Sequence, residues 1–512
     1  MKKKTSPKKW TLFFLLSAKN NLFNEQLKVI QEIYSVRSNK DVDFVILFDA
    51  IEGNKFSKKF AAPAIYHVDK DGDFLSDVSF YQLPVTAKGL TTKKNLEKLL
   101  KMAIQNFPAK NFGFFYKGHG GPATTDISKG AFDTRLVNVD ARMKDTGIER
   151  KYSKAQHGWT FEGYCEYPVI SKNKVKQKPI LLIYSRGNTE SLTYSGMADV
   201  IKKCFKKNPG FICLDCCWAQ QIENANKFVG LTDYFIASPD EMPALGLGYT
   251  QLCKQFLARP TIKAREVANL LVSIFYCTNY ADYDSDVPEF RKMGVSLTSL
   301  YLSNFKSFTD SFTVLCKYLI DKLKFKDDHT YVLLHNARAQ CLDYTYKDTD
   351  KLKASKIDYP MFNIDLIWFL ENLLYYNVDL PLDNKIFEVI NQLQNNVIAG
   401  FMGNNYKKNS LGSRAIGGNG VAICFPANKE HAEESILKDN KIAFFKTTGW
   451  RELLKLYYNY KFDEKKSKAK AGPTFKGLTL EKSLAENPER LIFVKSKHRK
   501  KRSAKPSKVL AK

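Results

Sequence analysis

The sequence predicts an α/β protein built on a mostly parallel central sheet, followed by a largely helical C-terminal part. Short, strongly apolar runs such as WTLFFLLSA, VDFVILFDA, NFGFFY and GFICL read as buried strands. Between the first two lies an amphipathic helix, Glu25 to Tyr34, with Leu27, Ile30 and Ile33 on one face. Strand, helix and strand in this succession close as a right-handed parallel crossover. Beyond Tyr249 the apolar spacing turns helical over long stretches.

The chain opens with MKKKTSPKKW and then TLFFLLSA, the basic, apolar and small-residue order of a secretion signal. The apolar run is only about eight residues long, so it is read as the first strand after a basic arm, residues 1–9. After the second strand, AIYHVDKDGDF and VSFYQLP read as strand material around an Asp-Gly turn. Asp69, Asp71 and Asp73 imitate the start of a calcium loop, but the glycine falls early and Phe80 stands at position twelve, so a hairpin turn is the better account. A polar helix from Thr92 to Asn106 leads to NFGFFYKGHGG. Residues 122–178 are polar, rich in Lys and Arg and without periodicity, which marks an exposed insertion. Order returns with a strand at Ile180 to Tyr184 and a helix in SLTYSGMADVIKKCF capped by Ser191 or Thr193. Further helices are expected at Leu252 to Leu257, Ala264 to Tyr276, Leu297 to Leu323 and Tyr331 to Tyr346.

Composition bounds the function classes. With 512 residues, 44% hydrophobic and 13% aromatic, the chain can bury a large core. Its formal charge of +27 implies attraction to polyanions or anionic surfaces. Much of that charge is local, because residues 465–512 hold 16 Lys and Arg against 3 Asp and Glu, a net +13. Residues 463–512 therefore read as a disordered basic tail, with Lys497 to Arg502 as a nuclear-import or nucleic-acid patch. Ten cysteines without regular spacing form no disulfide framework and suggest a reducing compartment. The expectation is an intracellular protein, with the nucleus open to it and secretion disfavoured. No apolar run approaches the roughly 20 residues that span a bilayer.

The chemistry concentrates in PGFICLDCCWAQQIENANKF. Gly210 to Leu214 forms a strand, Trp218 to Phe228 has helical spacing, and Asp215-Cys216-Cys217 lies between them. A cysteine at such a turn stands at the carboxyl edge of a sheet, where the helix dipole favours a thiolate. The same residues also fit a pair of core thiols, since free Cys is among the most buried residue types. A thiol nucleophile needs a base. Of the seven histidines, His119 follows a strongly apolar strand, and Gly118, Gly120 and Gly121 free the backbone around it. His157 also precedes a glycine but follows the polar stretch ERKYSKAQ, and the other five occupy ordinary hairpin, helix or tail contexts. Cys213 and Cys216 make a lone CxxC without the second pair that zinc requires, and Cys213 is expected to point into the sheet, so no metal site is assigned.

A strand ending in His-Gly, followed later by a strand ending in acid-x-Cys, resembles the caspase-like cysteine peptidases, and in detail the clostripain family. That family's Asp-Ala-Cys, with Glu six residues after the Cys, is matched by Asp215, Cys217 and Glu223, with Cys216 in the place of the alanine. Ser238, Glu241, Pro243, Gly246 and Tyr249 resemble the segment after the next strand. FNIDLIWFLENLL with Asp365, GGNGVAICFP, and FFKTTGWRELLKLYY around Gly449 and Trp450 resemble later segments, so the likeness covers about residues 10 to 460.

The resemblance implies a caspase-like three-layer sandwich and a cysteine endopeptidase with a His119–Cys217 dyad. It places the backbone amides of Gly120 and Cys217 as oxyanion donors and Asp215 in the pocket for an Arg or Lys side chain before the cleaved bond. From the residues alone, Asp215 also fits a helix N-cap. Activation in the family follows cleavage after a basic residue between His and Cys, which makes Arg135, Arg142, Lys144, Arg150 and Lys151 candidate sites. Some relatives need calcium; the dyad requires no cofactor, and no dedicated calcium site stands out in the sequence. The chain then divides into the arm, a peptidase domain at 10–255, a helical C-terminal domain at 256–462 that returns to the sheet, and the tail. The expected partner is a peptide or protein substrate. The alternative is an inactive caspase-like scaffold whose tail binds nucleic acid or anionic surfaces.

Overall fold

Each apolar run of the N-terminal half becomes a strand of one sheet in the computed structural model. It describes residues 7–18, 22–50, 62–69, 74, 77–84, 89–90, 92–120, 192–240, 242–243, 246–281, 296–344, 363–377, 379–402, 419–437 and 442–462. The chain order begins with β1 (Lys8–Ala18), α1 (Phe23–Tyr34), β2 (Val42–Ala50), β3 (Ala64–His67), β4 (Tyr81–Gln82), α2 (Lys93–Asn106) and β5 (Ala109–Lys117). It continues with α3 (Tyr194–Cys204), β6 (Phe211–Asp215), α4 (Ile222–Ala225), β7 (Tyr234–Ala237), α5 (Tyr249–Ala258) and α6 (Ala264–Tyr276). Then come β8 (Ser296–Tyr301), α7 (Phe305–Lys324), α8 (Asp328–Gln340), β9 (Asn363–Asp365), α9 (Leu366–Tyr376), α10 (Leu380–Asn396) and β10 (Val397–Met402). The last elements are β11 (Ala422–Cys424), α11 (Lys429–Glu434), α12 (Ala443–Thr447) and α13 (Trp450–Tyr458).

Nine strands form the main sheet in the order β10-β8-β7-β6-β5-β1-β2-β3-β4. The central run from β2 through β1, β5 and β6 to β7 is parallel. Both flanks are antiparallel, through β3 and β4 on one side and β8 and β10 on the other. Period-two alternation sorts the side chains into two cores. Leu12, Phe14, Phe115, Phe211 and Cys213 pack with α1, α5 and α6 on one face. Phe13, Leu15, Phe114, Tyr116, Ile212 and Leu214 pack with α2, α3 and the C-terminal helices on the other. Helix, sheet and helix make the expected three layers.

Caps set several boundaries. Thr92 Oγ1 accepts from the Asn95 amide at the start of α2, and Thr193 Oγ1 accepts from the Gly196 amide at the start of α3. The expected helix from Leu297 to Leu323 is instead two elements, because SLTSLY pairs between β7 and β10 and only Phe305 onward is helical. Pairing within the sheet overrides the local spacing of a short apolar run. The expected helix from Tyr331 to Tyr346 ends at Gln340. AIC in GGNGVAICFP joins β9 in a separate two-stranded ribbon rather than the main sheet. Trp450 follows Gly449, whose φ of 76° opens α13, and its indole donates to the Cys424 carbonyl at 2.8 Å, tying the closing helix to that ribbon.

The strand expected at Ile180 to Tyr184, the insertion at 122–178 with its candidate cleavage residues, His157 and the tail at 463–512 lie outside the described residues. Among the described residues no helix is long and apolar enough to cross a membrane.

Candidate active site

β5 and β6 are parallel neighbours in which Lys117 is directly opposite Asp215. His119 follows Lys117 by two residues and Cys217 follows Asp215 by two, so the sheet delivers both to the same carboxyl edge. The two strand ends are further joined by the Gly118 amide, 3.5 Å from the Asp215 carbonyl.

The two adjacent cysteines part company. Cys216 is 1% exposed and packs in the α2 and α3 core, where burial pushes its thiol well above the usual range. Cys217 is partly exposed, and its Sγ accepts from the Met242 amide at 3.3 Å. A raised, buried thiol is inert, whereas the Cys217 sulfur lies where a substrate can reach it. Cys213 belongs to the opposite core from Cys216, so the two sulfurs of the CxxC stand on different faces of the sheet.

The helix expected directly after the nucleophile is a correction. Residues 216–220 form a turn, and α4 spans four residues beginning at Ile222. Trp218 takes a φ of 53°, a left-handed conformation that costs an indole-bearing residue of order 1–3 kcal/mol, and its amide donates to the Asp240 carbonyl at 2.9 Å. The loop after β7, through Asp240 and Met242, thus holds the turn at Cys217 where a helix was expected to.

His119 is buried, and its backbone carbonyl accepts the Tyr116 hydroxyl at 2.9 Å. Burial lowers its imidazole from 6.5 to about 4, which keeps it neutral and able to take a proton at ordinary pH. Next to it, Gly120 allows a close approach: a Cβ there would lie 2.5 Å from the Cys217 carbonyl oxygen and 2.7 Å from the Cys216 sulfur. The Gly120 backbone, next to His119, is therefore packed against the backbone of Cys217.

Asp215 is buried in an ion pair: its side chain and that of Lys117 are 0% and 5% exposed, with Lys117 Nζ 2.9 Å from Asp215 Oδ2. The Tyr249 hydroxyl donates to the same oxygen at 2.7 Å. Gly246, with φ of 69°, presses on the pair so closely that a Cβ would meet Asp215 Oδ2 and lie 2.5 Å from Lys117 Nζ. Burial raises Glu25 to about 7 and also lifts Glu32, and Lys117 is among the charges that pull both back. Lys117 was not singled out in the sequence. Its signal was the equal offset of two residues, Lys117 to His119 and Asp215 to Cys217, on strands that pair in parallel.

Other residues of the resemblance hold this edge together. Glu223 Oε1 accepts the Cys424 amide of β11 at 2.8 Å. Ser238 Oγ stands 3.1 Å from the Ser296 hydroxyl and accepts the Asp240 amide at 3.0 Å. Asp365 caps α9 through the Trp368 amide at 2.9 Å and accepts the Tyr344 hydroxyl at 2.6 Å. Glu241 lies outside the described residues. Among the described residues no three His, Cys, Asp or Glu side chains group as metal ligands.

Comparison with known proteins agrees with this arrangement. The family model of the clostripain family, Peptidase_C11, matches residues 169–456, a span that holds Cys217 but not His119. No curated protein sequence matches the chain. A secreted C11 cysteine protease from Bacteroides thetaiotaomicron, solved with an irreversible peptide inhibitor, is 14% identical with a TM-score of 0.53, covering 86% of this chain and 99% of that one. A second structure of a secreted C11 cysteine protease from the same organism is 14% identical, TM-score 0.54, covering 86% and 100%. An inactive zymogen C11 protease from Parabacteroides distasonis is 12% identical, TM-score 0.55, covering 86% and 99%. At these identities the likeness is one of fold. Two of the three are secreted proteases, which overturns the expectation of an intracellular protein: unpatterned cysteines and a basic tail do not decide the compartment. With a family match over more than half its length, and a sheet that brings the ends of β5 and β6 to one edge, the chain belongs to the clostripain family of cysteine peptidases.

Proposed function

We propose that the chain is a cysteine endopeptidase working through a dyad of His119 and Cys217. His119, neutral at ordinary pH, takes the thiol proton, and Cys217 Sγ attacks the peptide carbonyl. The backbone amides of Gly120 and Cys217 are the donors offered to the oxyanion. The tetrahedral intermediate then expels the amine, which takes its proton from His119. Water activated by the same imidazole hydrolyses the thioester and restores the thiol. The observation that carries this reading is the contrast between Cys216, sealed in the core, and Cys217, reachable and held by the Met242 amide.

Two finer properties come from the family resemblance. Self-cleavage at Arg135, Arg142, Lys144, Arg150 or Lys151 is the activation step that the resemblance implies. Cleavage after Arg or Lys has the position of Asp215 in its favour, two residues before Cys217. It requires the substrate cation to share a carboxylate that Lys117 already neutralises. A second cation within about 4 Å of Lys117 meets repulsion of about 4 kcal/mol at an effective dielectric of about 20.

The test is hydrolysis of fluorogenic peptides by wild type, Cys217→Ala and Cys216→Ala, with and without calcium and after limited proteolysis. Turnover that vanishes in Cys217→Ala and survives in Cys216→Ala is expected. Turnover that survives Cys217→Ala would overturn the assignment. The scaffold alternative has no observation in its favour, since the tail that would carry it lies outside the described residues.

A further inference from the structure

We infer that Trp218 is a positioning residue for Cys217: its left-handed backbone, clamped by Ser238 and Asp240, reverses the chain after the proposed nucleophile and keeps Cys217 out of the core that takes up Cys216. This rests on the dyad reading and deepens it.

The conformation of Trp218 is an exception in this fold. Three non-glycine residues among those described have a positive φ, Arg37 at 66°, Trp218 at 53° and Lys326 at 55°. Arg37 and Lys326 are exposed and follow the ends of α1 and α7, where a left-handed residue commonly closes a helix. Trp218 is buried and closes no helix. Its local sequence pulls the other way, since Trp218 to Phe228 carries helical spacing and a right-handed Trp218 would begin that helix at once. A strained residue persists only where its surroundings over-determine it.

Those surroundings are a change of strand direction. β6 and β7 are parallel up to Leu214 opposite Ala237. Beyond Cys217 the same two stretches of chain run antiparallel: the Trp218 amide donates to the Asp240 carbonyl at 2.9 Å, and the Gln220 amide donates to the Ser238 carbonyl at 2.8 Å. Trp218 stands at the point of reversal, and the Met242 amide reaches the Cys217 sulfur at 3.3 Å. From the other side the Ala422 amide donates to the Gln220 carbonyl at 3.0 Å, so the strip is held from two directions. Ser238 shapes the clamp. Its buried Oγ accepts the Asp240 amide at 3.0 Å and lies 3.1 Å from the Asp240 carbonyl oxygen and 3.1 Å from the Ser296 hydroxyl. Without that hydroxyl the Asp240 amide loses its acceptor, and the carbonyl that holds Trp218 loses its orientation. The turn then relaxes toward the helix its spacing favours, and the Cys217 sulfur leaves the Met242 amide.

The experiment separates backbone conformation from the indole. Trp218→Asn and Trp218→Thr both remove the ring and differ little in volume, but Asn tolerates a left-handed backbone and β-branched Thr does not. On a fluorogenic peptide, kcat of the Asn variant is expected to be at least about 10-fold above that of the Thr variant at similar KM. Ser238→Ala is expected to lower kcat by about 10-fold or more with KM changed by less than about 3-fold, while Ser296→Ala, which leaves both Asp240 contacts in place, stays within about 3-fold of wild type in both. Iodoacetamide labelling of Cys217, followed by peptide mass so that the exposed Cys277 is counted apart, reads its presentation without turnover. Labelling slower by about 10-fold or more in Trp218→Thr than in Trp218→Asn, and in Ser238→Ala than in wild type, supports the inference. Equal kcat and equal labelling within both pairs overturn it. Where loss of the ring unfolds both Trp218 variants, Ser238→Ala against Ser296→Ala decides. Absence of Cys217-dependent turnover in wild type would count against the dyad and leave the labelling rates to decide on Trp218.

Discussion

The backbone at Gly120 lies directly against the carbonyl oxygen of Cys217, with room for a hydrogen but not for a methyl group. Gly120→Ala would therefore push His119, the proposed base, and Cys217, the proposed nucleophile, apart. We expect kcat/KM to fall by about 100-fold or more, with an overpacking cost of about 1–3 kcal/mol in thermal unfolding. A folded Gly120→Ala variant of wild-type activity would show that the contact does not position the dyad.

The pH dependence of His119 has a definite sign. Its imidazole gains a proton near pH 4 when folded and near 6.5 when unfolded. Between those values the unfolded chain binds more protons, so this group's contribution is complete above 6.5 and is lost as pH falls toward 4. The acid limb of kcat/KM should lie near pH 4, and a pH–rate profile with that limb at 6.5 would mean that the base is not buried during catalysis.

Glu223 runs the other way. Burial raises its carboxyl from 4.5 to about 7, although the Cys424 amide it accepts pulls it back. The folded chain keeps a proton that the unfolded chain has lost, so stability declines as pH rises from 4.5 through 7. Glu223→Gln keeps an acceptor for Cys424 and carries no charge. Its melting temperature should exceed that of wild type at pH 8 and match it at pH 4; equal values at both would place Glu223 in contact with solvent.

Tyr249→Phe removes one of the two donors to Asp215 Oδ2 while leaving Lys117 in place. A buried acceptor that loses a partner costs about 1–3 kcal/mol, readable as a lower denaturant midpoint with an unchanged slope. An unchanged midpoint would mean that Lys117 alone satisfies the carboxylate.

The parallel strands were legible because they are apolar runs, and the start of α3 was legible as a hydroxyl cap at Ser191 or Thr193, of which the structure uses Thr193. Asp215, Cys217 and His119 were legible as chemistry at strand ends. Three features were not. β8 reads as the head of a helix because two leucines three apart fit either period, and only its neighbours β7 and β10 decide. The turn after Cys217 carries helical spacing that Trp218 interrupts with a left-handed backbone. Lys117 looked like an ordinary polar residue at a strand end until the register put Asp215 across from it. In each case the missing information was which strand lies alongside, a property of chain pairing rather than of local composition.

The adjacency of β5 and β6 has one more result. Residues 118 to 210 connect two strands that are already hydrogen-bonded in register from Gly113 opposite Phe211 to Lys117 opposite Asp215. A single break before α3 would leave His119 on one polypeptide and Cys217 on another, with the seam running through the middle of a sheet and its two cores. Such halves behave as an obligate heterodimer, and produced as separate chains they should find each other and rebuild the enzyme by fragment complementation.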